Sequence, residues 1–155
     1  MENILIVDDE VDVLNIIADM IRKWGYHPVT AQSGQEALEK FKTMAIDVVL
    51  TDLIMPQMNG LSLLKEIMTI NDRAMVIMLT GYPSLDSAIQ TIKEGAYDYL
   101  VKPIDGDELR IKLERCLERK NLLRSRAILR GLNWALIISI PFWLILGIIL
   151  ARVLK

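Results

Sequence analysis

The sequence predicts an open α/β fold, a doubly wound parallel sheet with helices on both faces. Two observations predict it. Short apolar runs alternate five times with segments of helical period. The runs are also apolar on both faces, as strands covered on both sides must be.

Each element follows in order. Residues 3–8, NILIVD, read as a buried strand. Val11 to Trp24 read as a helix, with apolar residues at 11, 14, 17, 18 and 21, and Gly25 stops it. HPVTA (27–31) is the second strand. Ser33 can cap a helix over Gln35–Met44 that carries Ala37, Leu38 and Phe41 on one face. DVVLTD (47–52) is the third strand. Met55–Gly60 is a loop, with Asn59-Gly60 as turn chemistry ahead of a helix over Leu61–Ile70. AMVIML (74–79) is the fourth strand. Ser84 caps a helix that runs to about Glu94 and ends at Gly95. Tyr97–Val101 is the fifth strand. From Asp105 a helix runs with no breaker until Gly131.

In an open sheet of this kind, ligands sit at the carboxyl ends of the strands. Those ends hold Asp8-Asp9-Glu10, Asp52, Thr80-Gly81 and Lys102-Pro103. Any one acid at a strand end is commonly a solvated loop residue. Together they place three carboxylates, a hydroxyl and an ammonium on one edge. Three close carboxylates repel one another, so something positive belongs among them. A hard divalent cation with oxygen ligands, Mg²⁺, answers this, and Lys102 adds a fixed charge. A carboxylate in such company is a phosphoryl acceptor: it can form an aspartyl phosphate, with Lys102 and Thr80 holding the transferred group.

The segments IVDDE, VVLTDLIMPQMNGLSLL, MLTGY and YDYLVKP resemble, in order and spacing, the response-regulator receiver domain, the CheY-like fold. The resemblance spans about residues 2–120. It implies a flavodoxin-like five-stranded sheet in the order 2-1-3-4-5. It implies Asp52 as the phosphoacceptor, and Asp9 and Asp52 as Mg²⁺ ligands with the Ile54 carbonyl. Asp8 would act mostly through a bound water. Thr80 and Lys102 would hold the phosphoryl group, and Tyr99 would be the switch aromatic that turns inward as Thr80 moves. The implied donor is a phosphohistidine on a sensor histidine kinase or a histidine phosphotransfer protein. Ile54 and Tyr82, each two residues beyond a site residue, lie where this family sets the rate of phosphate loss. Neither is an obvious orienter of attacking water, so slow self-dephosphorylation is expected.

Other chemistries find no support in the sequence. There is no GxGxxG and no GxxxxGK[ST], so nothing indicates a nucleotide site. His27 is the only histidine and lies away from the acidic edge; it reads as a surface imidazole. Cys116 is the only cysteine, which excludes an internal disulfide and a Cys-rich metal site. The start, MENILIVDDE, lacks the basic region of a signal peptide. No separate catalytic domain is expected. The receiver supports only its own aspartyl phosphorylation and dephosphorylation.

The remaining length is of a different character. Residues 1–114 hold 10 Lys+Arg and 19 Asp+Glu, a charge of −9. Residues 115–155 hold 8 Lys+Arg and one acid, Glu118, a charge of +7. From Gly131 to Ala151 there are 21 residues without a charge. A helix of that length spans about 31 Å, the hydrocarbon thickness of a bilayer. Five basic residues before it (Arg119, Lys120, Arg124, Arg126, Arg130) against two after it (Arg152, Lys155) favour the receiver side as cytoplasmic.

The expected organisation is therefore a receiver over 1–120, a basic juxtamembrane helical linker over 121–130 and a transmembrane helix over 131–151. The expected location is a bacterial inner membrane, with membrane lipid and a membrane protein target as partners. A buried helix in a soluble oligomer is the alternative for the apolar run. No nucleic acid partner is expected, because the basic run has no recognition fold beside it. Leu109, Leu113, Cys116, Leu123 and Ala127 form an imperfect 4-3 stripe that admits a homodimer, although Lys120 interrupts it. Two further readings stand beside this one: a membrane-anchored scaffold that keeps the receiver fold and does not use phosphorylation, against which the intact acid set argues, and a phosphotransfer relay that uses the same residues. Asp52→Asn with no loss of function in cells would favour the scaffold. Transfer from Asp52 to a second histidine would favour the relay.

Overall fold

The computed structural model describes residues 1–123. The transmembrane helix expected over 131–151, and the linker from residue 124 onward, lie outside the described residues. Among the described residues, no helix is long and apolar enough to cross a membrane.

Among the described residues, five strands and four helices alternate, followed by a fifth helix. They are β1 (Asn3–Val7), α1 (Val11–Lys23), β2 (His27–Ala31), α2 (Gly34–Thr43), β3 (Val48–Asp52), α3 (Gly60–Ile70), β4 (Val76–Thr80), α4 (Leu85–Lys93) and β5 (Asp98–Val101). The fifth helix, α5, occupies residues 106–123. The sheet is parallel throughout, in the order β2-β1-β3-β4-β5. This is the order that the resemblance implies.

Side chains along β1, β3 and β4 alternate between two cores. Ile4, Ile6, Val48, Leu50, Ile77 and Leu79 pack on one face, against Leu14, Ile17 and Ile21 of α1 and Leu109, Leu113 and Cys116 of α5. Leu5, Val7, Val49, Val76 and Met78 pack on the other, against Ala37 and Leu38 of α2 and Leu63, Leu64 and Ile67 of α3. The first three positions of the 4-3 stripe, Leu109, Leu113 and Cys116, are thus buried in the domain's own core. They are not a seam left open for a second copy.

The helix starts follow from short polar side chains. Ser33 accepts from the Glu36 amide and Asn59 from the Ser62 amide. Ser84 and Ser87 form a reciprocal capping box at the start of α4. Gly25, with φ +86°, ends α1 in the left-handed conformation that only glycine adopts without strain. α4 is anchored differently from the rest. Its one buried residue is Thr91, whose hydroxyl has no hydrogen-bond partner among the described residues, while Leu85, Ile89 and Ile92 face outward.

The chain passes from β1 outward to β2, then returns to β3 on the other side of β1. That reversal opens a crevice at the carboxyl ends of β1 and β3.

Candidate functional site

Asp8 and Asp9 follow β1, and Asp52 closes β3, so both sides of the crevice carry carboxylates. One oxygen from each of the three lies within 4.8 Å of the others. Asp8 and Asp52 are buried and Asp9 is exposed. Lys102 follows β5 and reaches across. Its ammonium donates to Asp8 Oδ2 at 2.6 Å and to Asp52 Oδ2 at 2.7 Å. The Lys102–Pro103 peptide bond is cis. Burial alone would pull the lysine pKa down. The hydrogen bonds to Asp52 and Asp8, with the charges of both, more than offset this and hold it above the ordinary 10.5.

The second oxygen of each buried carboxylate meets backbone. Asp8 Oδ1 accepts from the Glu10 amide at 3.0 Å, and Asp52 Oδ1 from the Ile54 amide at 3.3 Å. These contacts fix both carboxylates and leave acceptor capacity on every oxygen. Three carboxylates against one ammonium leave two negative charges uncompensated. The donor set is all hard oxygen. Charge and chemistry therefore fit a divalent cation of the Mg²⁺ kind, held by Asp8, Asp9 and Asp52.

Thr80 ends β4 at the same edge and is buried. Its hydroxyl accepts from the Tyr82 amide at 3.1 Å, and its carbonyl accepts from the Lys102 amide at 2.7 Å. Thr80 and Lys102 are thus tied together through the backbone. Tyr99, on β5, is half-buried against the α2/α3 core. Lys112 of α5 donates to its carbonyl at 3.1 Å and pairs with Asp98 at 2.9 Å. Ile54 and Tyr82 have exposed side chains. Beside the site, Ile16 and Met20 of α1 face Pro103 and Ile104 across an apolar cleft whose polar end is Lys102.

Asp8, Asp9, Asp52, Ile54, Thr80 and Lys102 therefore share one edge of the sheet, and Tyr99 lies two residues before Val101, the register partner of Thr80. The family model described as "Response regulator receiver domain" matches residues 4–114. The chain belongs to this family. The transcriptional regulatory protein ZraR of Klebsiella oxytoca is 41% identical over 123 residues, which is 79% of this chain and 28% of that relative. The chain thus spans little more than a quarter of the length of that curated relative. A response regulator receiver domain protein from Clostridium thermocellum has a solved structure with a TM-score of 0.76 and 40% identity, covering 79% of this chain and 99% of that one. The chemotaxis protein CheY4 of Vibrio cholerae gives 0.73 and 30%, covering 76% and 99%.

Sequence reasoning did not single out the residues that shape the receiver's acidic edge by bulk rather than by charge. Thr51 is buried, and its hydroxyl donates to the Asp52 carbonyl at 3.1 Å. Gly60 lies against the same carbonyl, so close that an ideal Cβ would sit 2.0 Å from the oxygen. Gln57 has φ 65°, and the Met58 amide donates to the Pro56 carbonyl at 2.8 Å around it. That is a γ-turn of the rarer, positive-φ kind, which is strained for a residue with a Cβ. No spacing rule marks these positions, because each contact depends on how the backbone turns just after β3 and not on residue types at a fixed interval. Gln57→Gly is expected to relieve the strain and raise unfolding free energy by up to about 1 kcal/mol, net of the freedom glycine adds to the unfolded chain. Urea unfolding checks this; a loss of stability would mean that the turn is not strained.

Proposed function

We propose that this receiver is switched by phosphorylation of Asp52 and works at a membrane. One observation carries the first half: the Lys102 ammonium bridges Asp8 and Asp52, with Asp9 in reach of the same space. An Asp52 oxygen attacks the phosphorus of a phosphohistidine. The P–N bond breaks, and the histidine nitrogen leaves with its electron pair. Lys102 balances charge on the phosphoryl oxygens, and the Thr80 hydroxyl donates to one of them. Bound Mg²⁺, held by Asp8, Asp9, Asp52 and the Ile54 carbonyl, would neutralise further charge on the same oxygens. The donor is a sensor histidine kinase or a histidine phosphotransfer protein. The chain supports its own phosphorylation and dephosphorylation and needs no separate catalytic domain for either.

The 21 uncharged residues from Gly131 to Ala151, behind a basic stretch, support the second half. They would hold the receiver on the cytoplasmic side of a bacterial inner membrane. There confinement raises its concentration near membrane partners. The output is a protein–protein contact, biased by the Thr80 and Tyr99 region. The named relative is a transcriptional regulator, but the basic run beside the apolar segment favours lipid over nucleic acid.

Two measurements test the halves separately. With acetyl phosphate and Mg²⁺, the chain is expected to gain one phosphoryl group on Asp52, with a half-life of minutes or longer. Peptide mapping that places it elsewhere would overturn the first half, and a half-life of seconds would overturn slow loss. After alkaline extraction, the full chain is expected in the membrane pellet and a chain ending at Arg130 in the supernatant. Finding both in the supernatant would overturn the tether.

A further inference from the structure

We infer that Gly34, on a different element from the acidic edge, is a positioning residue for the loop that frames the metal. The inference rests on the reading that the site takes a divalent cation. Gly34 opens α2 and touches Met58 in the β3–α3 loop. An ideal Cβ at Gly34 would lie 2.8 Å from Met58 Cγ, 2.9 Å from its Cβ and 2.9 Å from its carbonyl oxygen. Glycine is not required there by conformation, since the positive-φ glycines among the described residues are Gly25 and Gly95. It is required by space.

The loop is clamped at both ends. At its base the Gly60 amide donates to the Leu53 carbonyl at 2.9 Å, and the Ile54 amide donates to Asp52 Oδ1. At its tip the strained turn at Gln57 presents Met58 to Gly34. A strained turn persists only where its surroundings over-determine it, and Gly34 supplies that from outside the loop.

α2 cannot simply retreat. Ser33 caps it, and Ala37 and Leu38 are buried beneath it. Glu36 accepts from the Gln32 amide at 2.9 Å, and Lys40 binds both Glu36 and the Thr30 carbonyl at 2.6 Å. A methyl group at Gly34 would therefore move the loop rather than the helix. The loop carries Ile54, the backbone neighbour of the Asp52 carboxylate. Gly34 thus sets how closely the loop approaches the cation.

The test is a titration of the 155-residue chain with MgCl₂ alone, read at the amide resonances of Ile54 and Gly60. Gly34→Ala is expected to weaken Mg²⁺ binding roughly tenfold, as loss of an outer-shell support does. Met58→Ala, which leaves a gap at the same contact, is expected to weaken it in the same direction and decides the matter if Gly34→Ala does not fold. Gly25→Ala is the control. It strains the chain at φ +86°, with nothing within 4 Å of the added methyl, so it lowers stability and keeps wild-type affinity. Wild-type affinity in both Gly34→Ala and Met58→Ala, or an equal loss in Gly25→Ala, would overturn the inference alone. No Mg²⁺ response in the wild-type chain would overturn the metal reading and the inference with it.

Discussion

Lys102→Met is expected to lower the unfolding free energy by roughly 3–5 kcal/mol in metal-free buffer, the usual cost of removing one partner from a buried ion pair. Asp8 has no exposed surface, and Asp52 has little. Without the ammonium, three carboxylates with oxygens within 4.8 Å of one another keep only the Glu10 and Ile54 amide hydrogen bonds, and the solvent at Asp9, against their mutual repulsion. At an effective dielectric of about 20, each such pair repels by about 3–4 kcal/mol. Methionine fills the volume of the lysine stem, so the loss reports charge rather than a cavity. Added Mg²⁺ should restore part of it, because the cation supplies the missing charge, and Asp52→Asn on top of Lys102→Met should restore part without metal. Phosphorylation from acetyl phosphate should be lost in the single variant.

The pH dependence follows from the sign of the shift. The folded pKa of Lys102 is raised, so its stabilisation is fully present below the unfolded value of about 10.4 and fades as pH climbs through the higher folded value. Wild-type stability should therefore carry an alkaline decline that Lys102→Met lacks. Urea unfolding in EDTA between neutral and alkaline pH checks both. A loss under about 1 kcal/mol at neutral pH would mean that water already screens the three carboxylates.

The acidic edge was legible in the sequence because strand ends in a parallel sheet share one side. Asp8 and Lys102 meet across 94 positions for that reason alone. The strands were legible because β1, β3 and β4 are apolar on both faces. Faces were harder to read where a periodic stripe exists but its partner does not show. The stripe Leu85, Ile89, Ile92 of α4 turns to solvent, and Thr91 turns to the core. Leu109, Leu113 and Cys116 repeat as a coiled-coil seam would, yet they pack on the chain's own sheet. Periodicity shows that a face is apolar; it does not show what covers it. The close approaches at Gly34 and Gly60 were illegible for another reason. Glycine in a turn is explained equally well by conformation, and only the folded neighbour reveals that the need is for space.

Gly60→Ala makes that distinction measurable and should be the most damaging of the glycine changes, at about 3 kcal/mol or more, beyond ordinary overpacking. Conformation is not the cause, since Gly60 is not among the positive-φ glycines. The added methyl would sit 2.0 Å from the Asp52 carbonyl oxygen, 2.9 Å from its carbon and 2.9 Å from Met78 Cε. Met78 is a flexible end and can yield. The carbonyl cannot, because β3 is paired on both sides, with Thr51 opposite Val7 and Asp52 opposite Leu79. The start of α3 must withdraw instead. That would break the Gly60–Leu53 hydrogen bond and drag Leu63 and Leu64 from the core they fill. Gly81→Ala, with nothing within 4 Å of its added methyl, should change stability by no more than about 0.5 kcal/mol. In urea, Gly60→Ala should lower the midpoint and leave the slope unchanged. Equal midpoints for the two variants would mean that α3 can leave β3 at no cost, and that Asp52 is not held from below by the helix that follows it.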